Sequence, residues 1–262
     1  MSSLQTSPET TAQGNGEEAS HVVEVVGIDD FMLTYSSEHS SDPAFDDGVQ
    51  HWDVGMHFKD DGGPSESFGS IRIVIADQDR CLNIVDALDN LSSDLCAIGT
   101  ALYRPDGDLR QDLHDRLALA GKTAIVDRVT IDRRFRGQGL GVYLTGLALD
   151  YLSHGSGLIA LFPGPLERDA SFDYATACSS LGRAWSRIGF EPYRDGTWIL
   201  DPGLRTLTSC LNQEWDRLQQ HRWSITFRED PTSYTGSVVT GITMCKTSPF
   251  PLARQHTASP AR

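Results

Sequence analysis

The chain has 262 residues, 39% apolar and 22% charged, which suits one large α/β domain with an extension or two small ones and excludes collagen-like, mucin-like and wholly disordered classes. Acidic residues exceed basic ones to a net charge of −14; that field repels phosphate backbones and anionic lipid and attracts cationic amines, so neither a nucleic acid nor a membrane is expected as partner. Cys81, Cys96, Cys178, Cys210 and Cys245 stand at wide spacings without a CxxC pair, the usage of a reducing cytoplasm rather than a zinc ribbon.

Residues 1–20 have no basic start and no apolar stretch; they read as a disordered tail and not as a secretory signal. From His21, HVVEVVGIDDFMLTY is a β-branched strand region, followed by a Ser, Asp and Gly loop over residues 37–50. A second strand is predicted within residues 51–59. There His51 and His57 flank WDVGM without the HExxH pattern of a zinc helix, so no metal is expected. After the DDGGP turn, SFGSIRIVIAD alternates Ile71, Ile73 and Ile75 on one face and completes a three-strand meander. The period then changes: Ile84, Leu88, Leu91, Leu95 and Ile98 form the stripe of an amphipathic helix. A further helix is predicted over residues 108–120, closed by Gly121, before TAIVDRVTI, a strand too apolar on both faces for an edge.

Between that strand, residues 123–131, and a helix over residues 140–153 stands RGQGLG, Arg136, Gly137, Gln138, Gly139, Leu140 and Gly141. Such a loop lets several backbone N–H groups converge on an anion at the positive end of the helix dipole, and side chains at Gly139 or Gly141 are expected to obstruct that approach. It is not a P-loop, which needs GK[ST]. Nor is it a dinucleotide fingerprint, which would need Gly at Val142.

The spacing Arg136, Gly139, Gly141 matches R/QxxGxG/A, and VTIDRRFRGQGLG resembles the pyrophosphate loop and lead-in of the GNAT superfamily of acyl-CoA-dependent N-acyltransferases. Downstream, a short strand over residues 158–162, a helix over residues 172–187 striped by Tyr174, Cys178, Leu181, Trp185 and Ile188, the strand opening at IGFEPY and TWILD agree with that order. VDAL and ALFPGPLE are further similar to a bacterial subgroup of the superfamily, one that implies no particular substrate. The resemblance implies a mixed, mostly antiparallel sheet with a splayed parallel strand pair flanked by helices. It also implies a cofactor site at Val129, Thr130, Ile131, Arg136, Gly137, Gln138, Gly139, Leu140, Gly141 and Val142, taking acetyl-CoA or another acyl-CoA as co-substrate.

Acyl transfer to an amine needs a group to take the amine proton. Asp127 is the carboxylate within the motif strand, and two-residue alternation puts it on the face of Val129 and Ile131. It either lines a cleft or pairs with a neighbour such as Arg128 or Arg72. Glu167, in PGPLE, is the second candidate, against a plain solvated loop carboxylate. Trp185 occupies the position at which the family commonly places a Tyr general acid, and an indole cannot serve; Tyr174 and Ser186 are close in sequence but not at that position, so no acid is assigned. Residues 21–201 are thus expected to form a GNAT-like domain. Residues 202–245 add a helix striped by Leu204, Leu207, Leu211, Trp215 and Leu218 and the strands WSITF and GSVVTGITM, capping the acceptor cleft or burying a homodimer face, and residues 246–262 read as a loose tail. The expected activity is N-acetyl or short-acyl transfer to a small amine in the cytoplasm. The alternative is a catalytically weak acyl-CoA-binding sensor or interaction module.

Overall fold

The β-branched run that opens at His21 is cut at Gly27 into two strands that join different sheets. In a computed structural model, which describes residues 21–38, 48–60, 63–117, 121–166, 173–203, 205–229 and 237–246, β1 (His21–Val26) is followed by a 3-10 turn, Ile28–Asp30, and by β2 (Phe31–Ser36). Asp30 accepts a hydrogen bond from the Gly27 N–H at 2.6 Å, which fixes the corner. The meander β2, β3 (Val49–Asp60) and β4 (Gly63–Asp77) is antiparallel throughout.

The apolar stripe from Ile84 to Ile98 belongs to two helices, α1 (Ile84–Asp89) and α2 (Ser93–Leu102), not one. Ser92 Oγ accepts from the Leu95 N–H at 3.1 Å and starts the second helix, as Asn83 Oδ1 starts the first by accepting from Val85 at 2.9 Å. The helix expected over residues 108–120 is short, α3 (Gln111–His114); Gly107, at φ 85°, turns the chain, and Tyr103 bridges Leu109. Residues 118–120 lie outside the described residues.

The remaining elements are β5 (Lys122–Ile131), α4 (Leu140–Leu152), β6 (Ser156–Leu161), α5 (Tyr174–Trp185), β7 (Glu191–Pro192), β8 (Trp198–Leu200), α6 (Thr206–Leu218), β9 (His221–Glu229) and β10 (Ser237–Lys246). The large sheet has seven strands in the order β2-β3-β4-β5-β6-β8-β7. Only the β5–β6 pair in it is parallel. The fold is therefore α/β with a mixed, mostly antiparallel sheet.

Ile84, Leu88, Leu95, Ile98, Leu102 and Leu113 cover one face of the sheet, against Val74, Ile125 and Leu158. The other face carries α4, α5 and α6 through residues such as Leu144, Trp185, Leu211 and Leu218, with Trp223 of β9. Segments far apart in sequence are joined here, because β9 pairs with β1 on one side and β10 on the other. α6 lies on α4, close enough that a Cβ at Gly146 would come within 2.6 Å of Leu211 Cδ2. Leu204, expected at the head of the α6 stripe, lies outside the described residues, as do residues 1–20 and 247–262 of the expected tails, while Lys246, expected to open the C-terminal tail, is the last residue of β10. Within α6 the buried positions are Leu207, Leu211, Glu214 and Leu218, while Trp215 is exposed. The stripe thus passes through a carboxylate and not through the indole.

Candidate functional site at the glycine loop and the β5 bulge

The approach to the glycine loop is pinned at both ends. Asp132 Oδ1 accepts from the Arg134 N–H and from Arg134 Nε, each at 2.9 Å, capping the 3-10 turn Arg133–Phe135. These bonds hold the Asp132 carboxyl at about 2, well below its ordinary value. Phe135 is buried among Phe31, Phe58 and Phe68, with its ring 4.6 Å from that of Phe68. Arg136 Nε donates to the Ile131 carbonyl at 2.9 Å and closes the turn.

Gly137 and Gly139 then adopt φ values of 78° and 84°, left-handed backbone that L side chains rarely take, and Gly139 caps α4. Beside Gly137 an added Cβ would meet nothing within 4 Å, so that side of the loop is open. At Gly139 a Cβ would lie 2.6 Å from Arg187 Nη1 and 2.7 Å from Arg217 Nη2. At Gly141 it would make ordinary contact with Ile131 Cδ1 at 3.5 Å. A side chain at 139 would therefore have to displace two guanidinium ends as well as adopt left-handed backbone, and a methyl at 141 would point at Ile131. Leu140 is fully buried, Val142 packs on the core, and the Gly141 carbonyl accepts from Thr145 Oγ1 at 2.7 Å.

The loop lies at the end of a strand that outruns its neighbour. The parallel ladder between β5 and β6 stops at Val126↔Leu161, whereas β5 continues to Ile131, pairing only with β4 over Val129↔Ile71, Thr130↔Ser70 and Ile131↔Gly69. Over residues 127–131 the backbone on the β6 side is released from the ladder. Val129 and Ile131 pack toward α4, and Thr130 is exposed.

Asp127 stands where the ladder ends, but not on the expected face. The β4–β5 register slips between Arg72 and Ile73, so that Asp127 is the extra residue of a β-bulge between Val126, opposite Ile73, and Arg128, opposite Arg72. The inserted residue breaks the two-residue phase: Val126 and Val129 share the α4 face, and Asp127 sits with Arg72 on the face of Val74 and Ala76, toward α1 and α2. Its side chain is 9% exposed, with Oδ2 3.8 Å from Arg72 Nη1. Burial raises its pKa, and Arg128, Arg72 and His51 oppose the rise. Arg72 also reaches Asp53 at 3.5 Å, so Asp127 has only a share of that guanidinium.

Glu167 lies outside the described residues. Trp185 is 8% exposed and meets Phe190 edge-to-face at 5.9 Å, a core position. Tyr174 is exposed at the start of α5, and Ser186 Oγ donates to the Arg183 carbonyl at 3.1 Å. His57 Nε2 and Thr34 Oγ1 are 3.0 Å apart, a cross-strand hydrogen bond. Among the described residues no cluster of three or more His, Cys, Asp or Glu is placed to hold a metal, and no helix is long and apolar enough to cross a membrane. The described cysteines, Cys81, Cys96, Cys178 and Cys210, are half-buried.

Residues that sequence reasoning missed surround the loop. Arg217 Nη2 donates to the Gln138 carbonyl at 2.9 Å, and the Trp223 indole N–H donates to Gln138 Oε1. Glu214 receives Arg187 through both Nε, at 2.8 Å, and Nη2, and receives Arg217 Nε at 3.0 Å. The available signal was Glu214 itself, a carboxylate in phase with Leu207, Leu211 and Leu218. No model of a known protein family matches the chain, and no curated protein or solved structure matches it.

Proposed function

We propose that this chain is a GNAT-type N-acyltransferase that moves an acetyl or short acyl group from acyl-CoA to a small amine. The observation that carries the reading is the coincidence, at one end of β5, of a strand that outruns its parallel partner and a glycine turn opening α4. Pyrophosphate would be held by the N–H groups of residues 137–141 with the dipole of α4. The strand backbone over residues 129–131 offers amide groups to an extended arm.

Asp127 is the proposed proton acceptor, directly or through a water. A carboxylate held above its ordinary pKa by burial is a stronger base than a solvated one. In the step, the amine nitrogen bonds to the thioester carbonyl carbon, the C–S bond breaks, the amine proton passes to Asp127 and from there to solvent, and the thiolate leaves as the CoA thiol after taking a proton from water. The net acidity of the chain favours cationic amines as acceptors.

The buried position of Trp185 supports a second reading, an acyl-CoA sensor with little turnover, because an indole there supplies no proton to a thiolate. The test is to incubate the protein with acetyl-CoA and a pooled amine library, following free thiol and product mass. Thiol release with an N-acetylated product is expected. Binding without turnover selects the sensor, and no binding at all overturns both readings.

A further inference from the structure

We infer that α6 and the end of α5, through Arg217 and Arg187 gathered by the buried carboxylate of Glu214, form a positioning device that holds the glycine loop in its left-handed form; its consequence for ligand binding rests on the acyl-CoA reading above. The loop has two sources of looseness, Gly137 and Gly139, on either side of Gln138 and both at positive φ. Glycine gives up more conformational freedom on ordering than any other residue, so a preformed anion cradle needs outside contacts. Those contacts come from three elements that meet behind the loop, α6, β9 and the end of α5. Arg217 holds the main chain of Gln138 by its carbonyl, Trp223 holds its side chain, and two guanidiniums lie over Gly139.

Glu214 is what keeps those guanidiniums there. Its side chain is 9% exposed and satisfied by three N–H donors, so releasing either arginine would leave part of a buried carboxylate without its donors. The two arginine side chains, 33% and 38% exposed, remain near enough to solvent to be changed without opening the core. Two guanidiniums against one carboxylate also leave a positive balance behind the residue that caps α4, of the sign that favours an anion there. The segment from α6 to β9 thus acts on the loop from behind and leaves the open side of Gly137 free.

The test uses the full chain and measures backbone N–H order parameters for residues 137–141 together with acetyl-CoA affinity. In the native protein the loop should give values of about 0.85, as for rigid backbone, and in Arg217→Gln it should fall below about 0.6 while Ile73 and Ile125 in the sheet stay unchanged. Affinity for acetyl-CoA should weaken by roughly 10- to 100-fold, the range for losing a charge-assisted hydrogen bond, and Arg217→Lys should recover part of both effects. Arg187→Gln, at a partly exposed position, supplies the same comparison should Arg217→Gln fail to fold. An unchanged loop, or loosening spread equally over the sheet, overturns the inference. A native protein that binds no acetyl-CoA while its loop still loosens on substitution overturns the acyl-CoA reading and leaves the brace standing.

Discussion

Gly137→Ala, Gly139→Ala and Gly141→Ala add the same methyl group at three points of one turn, and the structure assigns them three different costs. At Gly137, φ is 78° and nothing lies within 4 Å of the new Cβ, so the cost is that of left-handed backbone alone, about 1–2 kcal/mol. At Gly139 the same backbone cost applies, and the methyl would also sit 2.6 Å from Arg187 Nη1 and 2.7 Å from Arg217 Nη2. Breaking a buried ion pair outright costs about 3–5 kcal/mol, and the methyl forces only part of that shift, which brings the total to about 2–4 kcal/mol. Gly141 lies within α4 with its nearest neighbour at 3.5 Å, so Ala there should gain up to about 0.5–1 kcal/mol of helix stability. At about 2–4 °C per kcal/mol for a chain of this size, Tm should fall by roughly 2–8 °C for the first variant and roughly 4–16 °C for the second, and rise by roughly 1–4 °C for the third. Thermal and urea melts run side by side give the ranking. If Gly139→Ala is no worse than Gly137→Ala, the guanidiniums do not lie over residue 139; if Gly141→Ala is as damaging as Gly139→Ala, the placement of the loop is wrong.

Asp127→Asn should lower turnover by roughly 10² to 10⁴ with acetyl-CoA affinity nearly unchanged, measured by steady-state thiol release and by titration. The folded-state pKa of Asp127 is raised, so ionising it costs stability as pH rises through that pKa; the Tm of the Asn variant should therefore gain on the native protein between pH 3 and pH 7, and a gap that closes instead would contradict the buried placement. Asp132 behaves with the opposite sign: its pKa is lowered to about 2, so it stabilises the fold above its unfolded value and that stability is lost as pH falls toward 2. Asp132→Asn should flatten the acid limb of the stability curve between about pH 4 and pH 2, and identical acid melts would refute the Arg134 contacts. Trp185→Tyr should act as a core defect of roughly 1–2 kcal/mol, below the 3–5 kcal/mol typical of Trp→Ala, and leave single-turnover thiol release no faster; a faster variant would show that a phenol at this position can protonate the thiolate.

What could be seen in the sequence was local period, and what could not was phase across an irregularity. The helix after the glycine loop and the strand before it lie within a residue or two of where apolar spacing predicts them, because α4 and β5 are regular between their ends. The single amphipathic helix predicted for the stripe from Ile84 to Ile98 is divided because Ser92, unremarkable by composition, takes a backbone N–H and restarts the chain. The pairing of β1 with β9 joins residues some two hundred positions apart and leaves no local mark. Counting by twos along β5 put Asp127 on the wrong face, since one inserted residue exchanges the faces of everything beyond it and a bulge is specified by the partner strand as much as by its own.

The brace behind the loop was hidden differently. Trp215 and Glu214 both fit the spacing of α6, and residue type favoured the indole; the fold chose the carboxylate because Arg187, brought from the end of α5, can satisfy it there. A charged residue in an apolar phase is expensive unless a partner comes from elsewhere, so its presence signals a tertiary contact even when the partner is unknown. Asp127 in β5 and Glu214 in α6 are both such residues. One stands at the bulge where the ladder ends and the other behind the glycine loop, so each marks a tertiary contact of this region that the glycine motif alone does not show.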